Sequence, residues 1–463
     1  MAEEKVIIMG AAGRDFHDFM NYWSLEPNVS VVCFTSTQIP GIGGRLFPPE
    51  MCNNHKNGNR YPSGLMIYDQ NDLEALIDEY GATMCALAYS DISYDSVQSL
   101  AARVNAKGCK FIQVPPVLTQ LHSSKPVVSI CATRTGTGKS QTTRAIADYL
   151  KKKGKKIVVV RHPMPYDRNL LNQRCQRYEV LEDLVRYNCT IEEREEYELH
   201  IEEGNLLYAG VDYSMILREA EKEADVILWD GGNNDFCFFK PTVTICVADA
   251  LREGHEEHYY PGEINMRMAD LVMINKVNSL PSGDLATSQA AHIRSFLGKK
   301  DLPIILGKSV VTPEARDVSG ELLDDSEVLD MVQGKNVLVI DDGPTLTHGG
   351  MPFGAGYVLA QQMGCKEIVD PRSAAKGSLV GVFKKFQHLE KVLPAMGYGE
   401  EQIKDLEDTV RGVDCDCVIT GTPINLEHVI RIDAGKAVVR ARYALELDEQ
   451  NMSALEVALD PIV

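Results

Sequence analysis

Between an apolar run, Val127 to Ile130, and an amphipathic helical pattern stands Ile130-Cys131-Ala132-Thr133-Arg134-Thr135-Gly136-Thr137-Gly138-Lys139-Ser140. No other stretch constrains the fold as tightly. Glycines let backbone N–H groups close around an anion, a lysine neutralises its charge, and a following hydroxyl suits a divalent cation. After Ser140, the apolar Ala145, Ile146, Tyr149 and Leu150 fall on one helical face that ends at Lys151-Lys152-Lys153-Gly154. The helix start therefore points its positive end at the anion. This is a phosphate-binding loop between a buried strand and a helix, and it assigns Thr135, Gly136, Thr137, Gly138, Lys139, Ser140 and Gln141 to a nucleotide.

The loop departs from the standard pattern, with Thr133 where the first glycine would stand. Arg134 lies six residues before the hydroxyl. One large class of dimeric P-loop proteins carries a lysine there that crosses to the partner's nucleotide. Asp225-Val226-Ile227-Leu228-Trp229-Asp230-Gly231-Gly232 is an apolar strand ending in an acid, the arrangement that places a carboxylate near Mg²⁺. Lys139, Arg134 and Asp230 are thus the expected catalytic groups, with Ser140 and Asp230 as metal ligands. Leu271 to Asn275, then Lys276-Val277-Asn278, resembles a guanine-reading NKXD with asparagine in the final position. Asn275 and Lys276 join the nucleotide site. Asparagine offers one acceptor and one donor where aspartate accepts twice, so the expected nucleotide is ATP.

A length of 463 residues implies about three domain-sized units. The net charge of -19 argues against nucleic acid or an anionic membrane as partner. No apolar stretch approaches the roughly 20 residues that span a bilayer, and a cytoplasmic location is expected. Twelve cysteines without a CXXC pair read as reduced, packed thiols.

The expected fold class is α/β, mainly parallel sheets flanked by helices. Residues 1–124 alternate strand and helix patterns as a Rossmann-like domain. Residues 125–334 form the P-loop nucleotide-binding domain, and residues 335–463 a C-terminal α/β extension that completes the substrate site. The turn Gly10-Ala11-Ala12-Gly13-Arg14-Asp15 opens a helix and could hold a phosphate or simply pack closely. The loop from Gly41 to Gly64 reads as a lid or a partner-binding arm.

The strand Ile157 to Val160 runs into Arg161-His162-Pro163-Met164-Pro165-Tyr166-Asp167. That places a cation, an imidazole and a carboxylate at the edge of the sheet where ligands collect, with Asp167 a further metal candidate. The acidic stretch Thr190 to Gly204 has helical spacing and reads as a solvated helix. His255-Glu256-Glu257-His258 lacks zincin spacing and reads as a surface charge cluster. In the third segment, Asp341 to Gly350 is a polar, glycine-rich turn after a strand. Period two sets Arg440 and Arg442 on one strand face, either as a solvated edge or as an anion clamp.

Several long strings resemble the cyclic 2,3-diphosphoglycerate synthetase family and its bacterial relatives, over nearly the whole chain. They are GAAGRDFHDF from Gly10, FTSTQIPGI from Phe34, RTGTGKSQTTR from Arg134, RHPMPY from Arg161, DGPTLTHGGMPFGAG from Asp342 and VRARYAL from Val439. The resemblance implies a homodimeric enzyme that uses ATP and Mg²⁺, with K⁺ as a stimulating ion. It would close an intramolecular phosphoanhydride in 2,3-diphosphoglycerate and release ADP and phosphate. On that reading a small anionic metabolite, roughly -4 to -5 in charge, meets Arg14, His17, Arg161, His162, Arg168, His348, Arg440 and Arg442 in a positively lined pocket. The alternatives are a P-loop GTPase or ATPase switch or metallochaperone, and an ATP-dependent ligase or kinase acting on another anionic metabolite.

Overall fold

The computed structural model describes the chain except residues 1–2, 11–12, 38–42, 54–56, 163–168, 233–234, 318, 348, 390, 397–399 and 433–434. Three mostly parallel sheets, each flanked by helices, follow one another along the sequence. The α/β class read from the alternation of strand and helix patterns is the class observed.

The first sheet has six strands in the order Arg45–Phe47, Leu65–Asp69, Val29–Ser36, Glu4–Gly10, Met84–Leu87, Lys110–Gln113. All pairs are parallel except that of the edge strand Arg45–Phe47. Part of the segment expected as a lid or arm is therefore built into the sheet, and Phe47, Met51, Cys52 and Tyr61 are buried in its core.

The second sheet places Val127–Ala132 centrally, between Val226–Asp230 and Val243–Asp249. These strands are apolar and buried on both faces, as a parallel sheet covered by helices requires. Their carboxyl ends lie at one edge, where the loop before the helix Lys139–Lys152 sits.

The third sheet begins at Lys308, ahead of the start expected at 335. The strand Lys308–Glu314 pairs antiparallel with Ala437–Glu446, followed by Cys417–Gly421 and Asn336–Asp342. The last long helix, Glu449–Leu459, returns to the second domain and buries Leu455 and Leu459 in its core. The first two domains are joined by a short antiparallel pairing of Ile92–Ser93 with Tyr259–Tyr260. All twelve cysteines are free thiols, buried or half-buried. Among the described residues, no helix is long and apolar enough to cross a membrane.

The solvated helix expected at 190–204 is a correction. The helix Ile191–Glu202 is largely buried, including Glu192, Glu193, Glu195 and Glu198. It lies between two cores: Tyr197 and Ile201 pack into the second domain, and Ile191 into the third. Several of its acids meet groups distant in sequence, which charge pattern alone does not reveal. Glu198 accepts from Asn425 N–H at 2.9 Å, and Glu195 from the Thr422 hydroxyl at 2.6 Å.

Candidate functional site

Gly136 and Gly138 turn the loop with φ of 79° and 103°, a region that favours glycine. A Cβ on Gly138 would lie 2.0 Å from Asn275 Nδ2. Asn275 holds the turn by donating to Thr137 O at 2.8 Å. Lys276 donates to Gly136 O and to Asp249 Oδ2 at 2.9 Å. Both residues thus brace the loop from beneath.

Asn278, the position expected to read a base, is engaged elsewhere. Its amide donates to Ser309 O at 3.0 Å and accepts from Ser309 N–H at 2.9 Å. It fastens the first strand of the third sheet to the nucleotide domain.

Lys139 and Asp230 meet at 2.5 Å. Asp230 and Arg161 occupy the same level of adjacent parallel strands and form an ion pair. His200 Nε2 lies 3.1 Å from Asp230 Oδ2, while its Nδ1 is buried without a hydrogen-bond partner among the described residues. Burial raises the Asp230 carboxyl, yet Arg161, Lys139 and His200 together hold it well below the usual range. Burial lowers Lys139 to about 8 against the pull of Asp230, and lowers His200 to about 4. His200 was not singled out by sequence; a histidine inside an acidic helix has no signal until the helix is placed beside Asp230.

Arg134 is buried in its own chain. Its Nε donates to Asp91 Oδ1 at 2.6 Å, it lies 3.0 Å from His255 Nδ1, and its guanidinium covers the Tyr259 ring at 3.7 Å. His255, read as part of a surface cluster, therefore contacts the P-loop. Arg252 ties three segments, donating to Asp249, to Thr135 O at 2.8 Å and to Gly349 O at 2.8 Å.

The turn after the strand Asn336–Asp342 is folded by Asp341. This buried carboxylate accepts from Gly354 N–H at 2.8 Å and Gly356 N–H at 2.7 Å. A Cβ on Gly356 would lie 2.8 Å from Asp341 Oδ1. Burial raises this carboxyl to about 6 despite those donors. The turn brings Thr345 beside Gly136.

The result is a cavity of about 460 Å³ between the second and third domains. Its lining combines the P-loop and the cations Arg134, Lys139, Arg144 and Lys276 with the carboxylates Glu195, Glu196 and Asp342. Each cation has a carboxylate partner: Asp91, Asp230, Glu203 and Asp249 respectively. Glu196 pairs with Arg161. Phe353 stacks on Tyr357 at 4.8 Å in the wall. A larger and more open depression of about 670 Å³ beside the C-terminal helix carries Asp270 as its single charged group.

Among the described residues, those expected to hold a polyanion do not line this cavity. Arg14 is buried against Asp235 at 3.1 Å and donates to Tyr89 O. His17 stacks on Phe238 at 4.2 Å and lies 2.8 Å from Thr119 O; burial lowers its pKa to about 3. His162 lies 3.9 Å from Asp235. In the glycine-rich turn beside them, the Asp15 carboxylate accepts from Gly13 N–H at 2.6 Å. Arg440 and Arg442 share a strand face, as expected, and both bind Glu202, at 3.3 and 2.7 Å. Arg440 also donates to Pro423 O. Asp167, Arg168 and His348 lie outside the described residues. Among the described residues, no cluster of three His, Cys, Asp or Glu side chains is arranged to hold a metal.

No protein-family model matches the chain. Among solved structures, it is similar to LpxK from Aquifex aeolicus in complex with ATP, at 12% identity over 84% of this chain and 99% of that one, with a TM-score of 0.44. It is also similar to the UDP-N-acetylmuramate:L-alanyl-gamma-D-glutamyl-meso-diaminopimelate ligase from Neisseria meningitides, at 11% identity over 70% and 85% of the two chains, with a TM-score of 0.26. Among curated proteins, arginine synthetase ArcE of Thermococcus kodakarensis is 48% identical over 449 residues, 96% of this chain and 95% of that one. At that identity over nearly the full length of both chains, the protein belongs to the same family as arginine synthetase ArcE.

Proposed function

We propose that the protein is an ATP-dependent ligase whose product is a guanidinium compound, arginine in the first instance. The observation that carries this reading is the mixed lining of one cavity, in which cations at the P-loop and carboxylates of the helix Ile191–Glu202 and the strand end at Asp342 meet. The name of the relative, arginine synthetase, supports the same chemistry.

Thr135 Oγ1 lines the cavity, buried without a hydrogen-bond partner among the described residues, and is a donor suited to a phosphate oxygen. Lys139 and the helix start stabilise the anionic phosphates of ATP. Mg²⁺ brought with ATP would take hard oxygen ligands; Ser140 and, on exchanging one of its present partners, Asp230 would hold it, and it would offset charge on the phosphates.

Arginine differs from its ureido counterpart, L-citrulline, by a nitrogen in place of the ureido oxygen. ATP makes that exchange downhill. The ureido oxygen attacks the γ-phosphorus and ADP leaves. Ammonia then attacks the activated carbon, and the C–O bond breaks to release phosphate. Starting from ammonium, one proton is released overall. The chain holds the two reactants in line and excludes water between domains.

The cyclising reaction implied by the sequence resemblance would use the same ATP seat. Its second substrate, roughly -4 to -5 in charge, would face Glu195, Glu196 and Asp342, and like charges brought together cost several kcal/mol. Among the described residues, the arginines expected to hold it, Arg14, Arg161, Arg440 and Arg442, already carry carboxylate or carbonyl partners.

ADP release is the test, measured with Mg²⁺-ATP alone, with L-citrulline and ammonium, and with 2,3-diphosphoglycerate. Stimulation by the second mixture, with arginine as product, is expected. Stimulation by 2,3-diphosphoglycerate alone would replace this reading with the cyclising one. Turnover indifferent to both would point to a switch ATPase.

A further inference from the structure

We propose that Glu195, facing Asp342, is the subsite that holds the nitrogen end of the second substrate, a neutral ureido group in the substrate and a cationic guanidinium in the product. The inference rests on the ligase reading and adds where that reaction's positive charge is bound.

Of the acids of its helix that line the cavity, Glu195 and Glu196, Glu195 is the one without an ion-pair partner among the described residues. Glu193 accepts from Thr190 N–H at 2.9 Å, Glu196 pairs with Arg161, Glu198 accepts from Asn425 N–H, and Glu202 pairs with Arg440 and Arg442. Glu195 is 6% exposed and lines the cavity. Its Oε1 accepts from the Thr422 hydroxyl at 2.6 Å, while its Oε2 is buried with no hydrogen-bond donor among the described residues. An ionised carboxylate has about four acceptor positions, and the Thr422 hydroxyl and the contact with Asp342 leave the others for a ligand.

Asp342 supplies the second negative group. Its carboxylate accepts from Thr345 N–H at 3.2 Å and from the Thr345 hydroxyl, so its position is fixed by the turn that closes over the P-loop. Burial, then the charge of Asp342, pushes the Glu195 carboxyl well above the usual range. Two carboxyl groups so placed retain a proton until a cation displaces it.

The surroundings select the kind of cation. A guanidinium is planar, donates to carboxylates in pairs and stacks on aromatic faces. Phe353 and Tyr357 offer a flat surface in the same cavity, and Met351, Leu199 and Val358 offer apolar wall for an aliphatic stem. Lys139 keeps Asp230 as its own partner, so a guanidinium bound at Glu195 and Asp342 does not compete for that ion pair. When ammonium is the nitrogen source, its binding displaces the proton held by the Glu195 and Asp342 pair to solvent, and Glu195 is then placed to take one proton from it, leaving neutral ammonia as nucleophile and a neutral carboxyl.

The test is calorimetric titration of L-arginine, and of methylguanidinium as the cation alone, onto the full-length protein with ADP and Mg²⁺. Wild type, Glu195→Gln and Asp342→Asn are compared. Both substitutions are expected to weaken arginine roughly tenfold or more, the size of one lost charge-assisted hydrogen bond, and to leave ADP affinity within about twofold. Arginine bound equally by all three proteins overturns the subsite and leaves the ligase reading standing. Methylguanidinium bound through Glu195 without arginine binding keeps the subsite and removes arginine as product. If neither probe binds wild type, both fall. Mg²⁺ displacing arginine from wild type in competition would also overturn the subsite, making it a metal site.

Discussion

Arg134 Nε donates to Asp91 Oδ1 at 2.6 Å within one chain, with both side chains almost wholly buried. The cation that in related loops crosses to a partner's nucleotide is fixed here by the first domain. Asp91 adopts φ of 56° and also accepts from Thr135 N–H at 3.2 Å, so one residue holds both the arginine and the start of the loop. Mixing Arg134→Ala chains with Lys139→Ala chains is expected to restore no ATP turnover. Recovered activity in the mixture would show that the arginine crosses. Asp91→Ala leaves a buried guanidinium without its partner and is expected to cost about 3–5 kcal/mol of stability, measured by denaturant unfolding.

Lys139 and Asp230 separate function from stability. Lys139→Ala is expected to lower the rate of ADP release by about 10²–10³, while Asp230 keeps Arg161 and His200 and the unfolding temperature changes little. Asp230→Asn strands the Lys139 charge in the interior and leaves Arg161 only Glu196, and unfolding should show a loss of about 3–5 kcal/mol.

The P-loop, the Asp230 strand and the alternation of the first domain were legible because they are local: glycine spacing, apolar runs and helical faces within about twenty residues. The acidic helix was not. Ile191, Tyr197, Leu199 and Ile201 are spread around the helix between glutamates, and its carboxylates are met by Thr422, Asn425, Arg440 and Arg442, more than two hundred residues away. A charged face reads the same whether water or a distant arginine satisfies it. For the same reason, Arg440 and Arg442 could be placed on one face but not assigned a partner. Asp91 and Arg252 gave no signal, since each acts through contacts between domains.

Arg440 tests that distinction directly. Bound to Glu202 and to Pro423 O, it braces the acidic helix. Arg440→Ala is expected to lower stability by roughly 1–3 kcal/mol, the cost of leaving buried polar groups unmet. Affinity for 2,3-diphosphoglycerate should not change. A selective loss of that affinity, with unfolding unaltered, would return Arg440 to an anion clamp.

The Glu195 carboxyl also sets a pH dependence. It faces Asp342 from the neighbouring sheet, Glu192 on its own helix, and Tyr443, which burial pushes up to about 12 and keeps neutral. Because its folded pKa is raised, its contribution to stability is fully present below the ordinary value of 4.5 and is lost as pH rises through the folded value. Glu195→Gln should therefore unfold at a higher temperature than wild type at neutral pH. Arginine binding displaces the retained proton, so affinity should rise with pH by at most about tenfold per unit. Titration in buffers of different ionisation enthalpy should show up to about one proton released per arginine bound. Proton uptake would contradict the arrangement.

The central claim is that ATP and a ureido group meet in the cavity between the P-loop and Glu195, and the fate of one oxygen atom tests it most directly. L-citrulline labelled with oxygen-18 at the ureido position, incubated with the protein, Mg²⁺-ATP and ammonium, is followed by phosphorus NMR. The predicted result is labelled inorganic phosphate, shifted by the heavy oxygen and formed in step with arginine. Unlabelled phosphate from ATP, with the ureido oxygen still in citrulline, would contradict the account.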